Sequence, residues 1–470
     1  MSFLDPHSPR SLILAGGGIR VAYHAGVLQA LEEAGLTFAH VDGTSGGVFG
    51  TAMLASGVTP TEAARRWRAL DLRGFMKPLP LRSYFTSLPA IGSATGIRDK
   101  IFPGLGIDLG SIRSNAQAAF TFNVCNFTQK TLESIPHTTA TLDHLIAGVS
   151  LPLFMPVVPI GGASYLDGVW IKDANLTTAY ERGAAEAYLV WCIGNTPTYR
   201  PGLFHQYVHM IEIAANGALF EEMAALSARA AREGRPWRVH VIKPSFALPL
   251  DPDFVLHRID ADTLINIGYA DTKRYLADPR PVATPLSNTP AAFAAATAMS
   301  EPGPSYHYRA RYRGILAGAP RSINLGVFLR PTGTQLYASI DWAPGVTASA
   351  FDATQNQFRF SIGDALYAIT ITRSRFTLRA LNPAAADSAP SSAPGAPSSA
   401  SGAAPSSAPG ATPFSAPGSA SGAILDSATL RQPWLSRLRN RWYASVFGVD
   451  GGPIARAHAK AQLQKAATTI

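Results

Sequence analysis

The residues best suited to chemistry in this 470-residue chain lie in three short segments. The first is Gly43-Thr44-Ser45-Gly46-Gly47, a G-x-S-x-G turn between a strand-like and a helix-like stretch. A serine that attacks an ester must project from a tight strand-to-helix turn, and the flanking glycines Gly43 and Gly47 let neighbouring backbone pass close by. The helix that follows aims its N-terminal amides at the serine oxygen, which favours developing negative charge. The second segment is Gly16-Gly17-Gly18-Ile19-Arg20. Its run of glycines exposes backbone N–H groups with no side chain in the way, a form that can hold an oxyanion. The third is Leu166-Asp167-Gly168-Val169. A carboxylate there can take the serine proton if it is held within reach and partly desolvated. In isolation an Asp-Gly pair is an ordinary turn.

Other readings of these residues are weaker. A dinucleotide fingerprint needs a third glycine where this chain has Val21, and its acidic residue would have to be Asp42, which abuts the serine turn. His24 follows the glycine loop and reads as a packing or loop-supporting residue rather than a general base. A Ser-His-Asp esterase would need a late histidine, for which His240 and His257 are available. Cys125 and Cys192 sit in apolar, strand-like stretches and read as buried thiols. None of the 11 histidines forms a ligand set. No metal or cofactor is expected.

GGGIR, then GTSGG, then DGV, with Ser45 and Asp167 122 positions apart, resembles the patatin-like phospholipase family. HAGVLQALEEAG is similar to that family's first helix, GVSLPLFMPVV to the segment before its aspartate, and INIGYADTKRYL to the end of its domain, so the likeness spans roughly residues 11–280. The resemblance implies a Ser–Asp dyad on a three-layer α/β/α sandwich. Matched by position, it makes Ser45 the nucleophile and Asp167 the base. Gly16, Gly17, Gly18 and Ile19 would supply the oxyanion amides, with Arg20 as the adjacent basic residue. The chain departs from the family pattern at Val21, where glycine is usual, and at Val169, where glycine or alanine is usual. The implied activity is lipid acyl hydrolysis of phospholipase A type, with a non-catalytic patatin-like scaffold as the alternative of another class.

The elements that must position these residues alternate. Strand signals at Ser11–Leu14, Phe38–Val41, Ala118–Phe127, Glu186–Ile193 and Val239–Lys243 are separated by helical stretches, which predicts an α/β domain with a mainly parallel, covered sheet over residues 1–285. Residues 286–382 form a small β-rich module, with antiparallel strands expected at Ser322–Leu329, Gln335–Trp342, Gln357–Ile362 and Leu366–Leu378 and a hairpin turn at Pro331–Gly333. Residues 383–423 are almost wholly Ala, Ser, Pro and Gly and predict a disordered linker. Residues 424–470 form a basic tail, in which Trp434, Leu435, Leu438 and Trp442 share one helical face among four arginines. That helix either contacts a membrane interface or docks on the protein's own surface. The apolar, proline-rich stretch Phe75–Ile101 suits either a flap over an acyl cleft or a surface loop.

Hydrophobic residues make up 47% and charged residues 15%, enough to bury a large core. A net charge of +9 suits an anionic partner such as a membrane surface, and no dense basic run within the first 280 residues marks a nucleic-acid groove. No nucleic-acid partner is expected. The opening residues carry no signal-peptide pattern and no stretch is long enough to span a bilayer, so the expected location is cytoplasmic, with peripheral membrane contact open.

Overall fold

In the computed structural model, residues 9–71, 75–85, 89–193, 202–248, 260–284 and 289–298 are described, together with the strand segments 306–316, 319–330, 333–340, 343–347, 357–362, 365–371, 375–380 and 424–429. The centre is a nine-stranded sheet. Its strands in chain order are β1 (Arg10–Leu14), β2 (His40–Thr44), β3 (Ala119–Asn126), β4 (Thr131–Pro136), β5 (Val158–Ile160), β6 (Ala163–Asp167), β7 (Glu186–Val190), β8 (Trp237–Ile242) and β9 (Val282–Thr284). Strands β8, β7, β1, β2 and β3 lie side by side and parallel, while the outer pairings are antiparallel. The domain is therefore a mainly parallel α/β sandwich.

Strand pleating separates the two cores. Leu12 and Leu14 of β1 face one layer with helices α1 (Ala22–Glu33), α2 (Gly47–Ala55), α3 (Pro60–Ala69) and α6 (Ala261–Ala277). Ile13 and Ala15 face the other layer, built with the long helix α5 (Leu203–Glu233) and the short helix Leu176–Glu181. All five β1 residues are buried, as expected of a strand covered on both faces. α4 (Leu142–Gly148) packs at the β3 end and starts from a Thr141–His144 capping box.

Two helices approach unusually closely. A Cβ on Gly26 of α1 would sit 1.8 Å from the Ile265 carbonyl oxygen, and one on Gly268 of α6 would sit 2.1 Å from that of Tyr23. The pair of glycines lets the two backbones touch, which packs the start of the GYADTKRYL segment directly on α1.

The later strands form two four-stranded antiparallel sheets. The strands flanking the expected hairpin pair antiparallel with Arg330 opposite Gly333, and residues 331–332 lie outside the described residues. The single strand expected over Leu366–Leu378 is instead two, Ala365–Ile371 and Arg375–Ala380, paired with each other antiparallel. Ile424–Thr429, grouped above with the tail, forms a strand against Arg375–Ala380. The first of these sheets is fastened to the sandwich at α6. Asp262 accepts from both Arg68 (2.7 Å) and Ser339 (2.6 Å), and Phe246 packs on Phe328. The linker over 383–423 and the helix expected over 430–447 lie outside the described residues.

Gly26→Ala or Gly268→Ala should lower unfolding free energy by about 1–3 kcal/mol through forced separation of the helices. A denaturant titration checks this, and an unchanged midpoint would contradict the close-contact account.

Candidate functional site

The site is assembled along one edge of β3. Strand β2 pairs with its first half, ending at Thr44↔Asn123, and β6 pairs next with Val124↔Asp167. The opposite edge of β3 is occupied by β4, which pairs with Asn123 and Val124 as well. A strand has two edges, so β2 and β6 must lie end to end on the same one. Ser45 leaves β2 at the point where Asp167 ends β6. The Asp167 amide also donates to the Ser150 carbonyl (3.1 Å), which ties the aspartate to the GVSLPLF segment.

Ser45 has φ 53°, a left-handed conformation that an L-residue adopts at a cost of about 1–3 kcal/mol. Packing enforces it. A Cβ on Gly47 would meet the Leu14 carbonyl oxygen at 1.9 Å, and one on Gly43 would meet Thr51 Oγ1 at 2.4 Å. α2 begins directly after the turn with no side-chain cap and no acidic residue in its first turn, the Val48 and Phe49 amides donating to the Ser45 and Gly46 carbonyls (2.9 and 3.2 Å), so the positive end of its dipole lies at the turn.

Asp167 is fully buried. One oxygen, Oδ1, accepts from the Val169 amide (2.9 Å), while Oδ2 has no partner of hydrogen-bond geometry among the described residues. The Ser45 side chain nevertheless lies close enough to oppose protonation, a near contact rather than an aligned bond. Burial outweighs this and raises the Asp167 pKa to about 7.

The glycine loop lies over the same point. Gly17 and Gly18 have φ 154° and 59°, and a Cβ on Gly17 would strike the Cys192 side chain at 2.8 Å. The Arg20 amide and Nε both donate to the Gly17 carbonyl (3.2 and 2.9 Å), which closes the loop into a short turn with Ile19 buried. The Gly16 amide is engaged, donating to Asp173 Oδ1 at 2.9 Å. The amides of Gly17 and Gly18 have no partner among the described residues.

Sequence reasoning did not single out Asp173, Asn123 or Asn175. Asn123 Nδ2 donates to Asp42 (2.5 Å) and to Thr44 Oγ1 (2.9 Å), and its Oδ1 accepts from Asn175 (3.0 Å). It therefore ties the end of β2 to the loop after Asp167. Asp42 is the acid of this network and burial raises its pKa to about 7; Thr121 and His40 continue the chain below it. Only Asn175 offered a local signal, as the cap of the helix Leu176–Glu181.

Of the two late histidines, the described one, His240, lies away from the serine. His240 is two strands from β1, in the row His240–Tyr188–Leu12–Val41, roughly 14 Å across the sheet from β2 at the usual strand spacing. It stacks on Tyr188, and burial lowers its pKa to about 3. His24 is buried in α1 with both ring nitrogens unpartnered among the described residues, and burial lowers its pKa to about 3 as well. His257 lies outside the described residues. Cys125 and Cys192 are free and buried, their thiols pushed up by desolvation.

A buried carboxyl, a serine on a strained strand–helix turn and a facing glycine loop thus come together on a mainly parallel α/β sandwich. Residues 12–180 match the patatin-like phospholipase family model. A stretch of 80 residues is 38% identical to neuropathy target esterase sws of Drosophila willistoni, covering 16% of this chain and 5% of that protein. The chain thus spans about 5% of the length of the curated relative it matches. Among solved structures, VipD from Legionella pneumophila matches with a TM-score of 0.32 and 12% identity, over 58% of this chain and 67% of that one.

Asn123→Ala should destabilise the fold by about 1–3 kcal/mol by orphaning Asp42 and Asn175. It should also lower kcat for ester cleavage more than it alters KM. Thermal unfolding beside steady-state kinetics checks both, and wild-type kcat in a folded variant would remove Asn123 from the positioning of the site.

Proposed function

We propose that this chain is a lipid acyl hydrolase of phospholipase A type, a carboxylic ester hydrolase that uses Ser45 as nucleophile and Asp167 as base. The observation that carries the reading is the meeting of a strained, glycine-flanked Ser45 with a desolvated Asp167 at the junction of β2 and β6.

In the proposed reaction Ser45 Oγ attacks the acyl carbonyl while Asp167 takes the hydroxyl proton. The carbonyl oxygen becomes an oxyanion held by the glycine-loop amides, with Gly17 and Gly18 best placed, and by the amide that follows the serine. Collapse breaks the bond to the alcohol, which leaves with the proton from Asp167. Water then attacks the acyl-serine, its proton passing to Asp167, and release of the acid restores Ser45. Asp167 must be ionised to begin each half. Since burial raises its pKa to about 7, turnover should fall as pH drops through that value.

A lipid substrate is supported by large apolar side chains that stand exposed. Leu81, Phe85, Ile91, Leu153, Leu203 and Ile213 are exposed, Leu203 by 87% and Phe85 by 81%. The segments are joined: the Ile91 amide donates to the Leu153 carbonyl (2.8 Å), and Tyr207 of α5 donates to the Pro152 carbonyl (2.7 Å). Tyr207 also packs on Trp170, three residues past Asp167. Such side chains suit peripheral contact with a lipid surface. The basic segment after residue 429 is the second proposed contact. No helix among the described residues is long and apolar enough to cross a membrane.

Ser45→Ala and Asp167→Asn should each reduce hydrolysis of phospholipid vesicles by at least about 10³ without unfolding the protein. Covalent labelling by a fluorophosphonate should require Ser45. Full activity in either variant would sink the dyad, and absent labelling of the wild type would favour a non-catalytic scaffold.

Leu203→Asp combined with Ile213→Asp should weaken vesicle hydrolysis about ten-fold or more while a soluble short-chain ester is cleaved as before. Equal loss on both substrates would contradict the surface role. A chain truncated after residue 429, which keeps the strand Ile424–Thr429, separates the contribution of the basic tail in a vesicle-sedimentation assay.

A further inference from the structure

A second carboxyl stands at the site. Asp173 is fully buried six residues past Asp167, on the loop between β6 and the helix Leu176–Glu181. Its Oδ1 holds the Gly16 amide, and its buried Oδ2 has no partner among the described residues. A Cβ on Gly16 would lie 2.2 Å from Asp173 Oδ1 and 2.9 Å from Ser45 Cβ. The glycine loop is thus wedged between Asp173 and the nucleophile, and Asp173 is its anchor.

The groups facing Asp173 come from three other places. Asp167 at the end of β6 opposes its ionisation, Arg20 of the glycine loop favours it, and the neutral thiol of Cys192 past β7 lies close by. Lys172, its neighbour in sequence, is directed instead to Glu222 (2.8 Å). An ionised Asp173 would put a second negative charge against the loop that must receive an oxyanion, and beside the carboxylate that must take a proton. Like charges so placed in a buried site oppose the transition state.

We propose that Asp173 is a positioning residue that clamps the glycine loop to the Ser45 turn, and that it does so productively only as the neutral acid. The site then works with one negative charge, on Asp167, and Asp173 sets the alkaline limit of activity. This rests on the Ser45–Asp167 reading above. Burial raises both carboxyls, and the neighbouring Asp167 charge further opposes ionisation of Asp173. Because the two interact, the limbs of a rate profile report the pair.

The test is kcat/KM of the full chain on a soluble aryl ester from about pH 5 to about pH 10, for wild type, Asp173→Asn and Asp173→Ala. Asparagine keeps a neutral acceptor for the Gly16 amide. The wild type should give a bell. Asp173→Asn should stay within a few-fold of wild type near neutrality, keep the acid limb and lose the alkaline limb, whereas Asp173→Ala should lose about ten-fold or more at every pH. An alkaline limb unchanged in Asp173→Asn overturns the proposal, as does an Asp173→Asn protein that is unfolded or as impaired as Asp173→Ala. Failure of the dyad itself is seen separately, as activity that survives Ser45→Ala.

Discussion

One edge of a single strand organises this protein. Strand β3 gives that edge first to β2 and then to β6, and the handover falls between Thr44 and Asp167. Backbone hydrogen bonds fix the register to the residue, because a slip by one would turn every side chain to the other face of the sheet. The serine turn and the buried aspartate are thereby set against each other, although they are 122 positions apart in the chain. Asn123, at the same handover, bonds to both sides and binds the two lengths of chain together.

Desolvation then sets the chemistry. Three carboxyls, Asp42, Asp167 and Asp173, are fully buried beside or beneath the serine turn, and burial raises all three. Their hydrogen bonding differs. Asp42 is satisfied by Thr121 and Asn123 and belongs to the scaffold. Asp167 and Asp173 each keep one unpartnered oxygen among the described residues, the condition of groups free to exchange a proton. Aspartate becomes a useful base near neutrality only in such surroundings, which is how a site of this form would dispense with histidine.

Packing holds the strain. Ser45 stays in its left-handed conformation because Gly43, Gly46 and Gly47 lie against Thr51, Gly18 and Leu14 with no room for a side chain. The same close fit joins α1 to α6 and brings the first antiparallel sheet onto α6 through Arg68, Asp262 and Ser339. That sheet is therefore part of how the site's helical layer is supported, and the return strand Ile424–Thr429 joins residues beyond the linker to the second sheet.

The amino-acid sequence by itself determined the three local motifs, the alternation of strands and helices, and the contrast between an apolar α/β domain and later antiparallel strands. These are legible because turns, amphipathic periods and glycine loops are written in neighbouring residues. Only the tertiary structure decided that Gly16's amide is taken by Asp173 across 157 positions, that Asn123 joins Asp42 to Asn175, and that His240 faces an aromatic stack rather than the serine. It also divided Leu366–Leu378 into two strands. Such facts depend on which strand lies beside which and in what register. That outcome is set by burial summed over the whole sheet, and no short window of residues contains it.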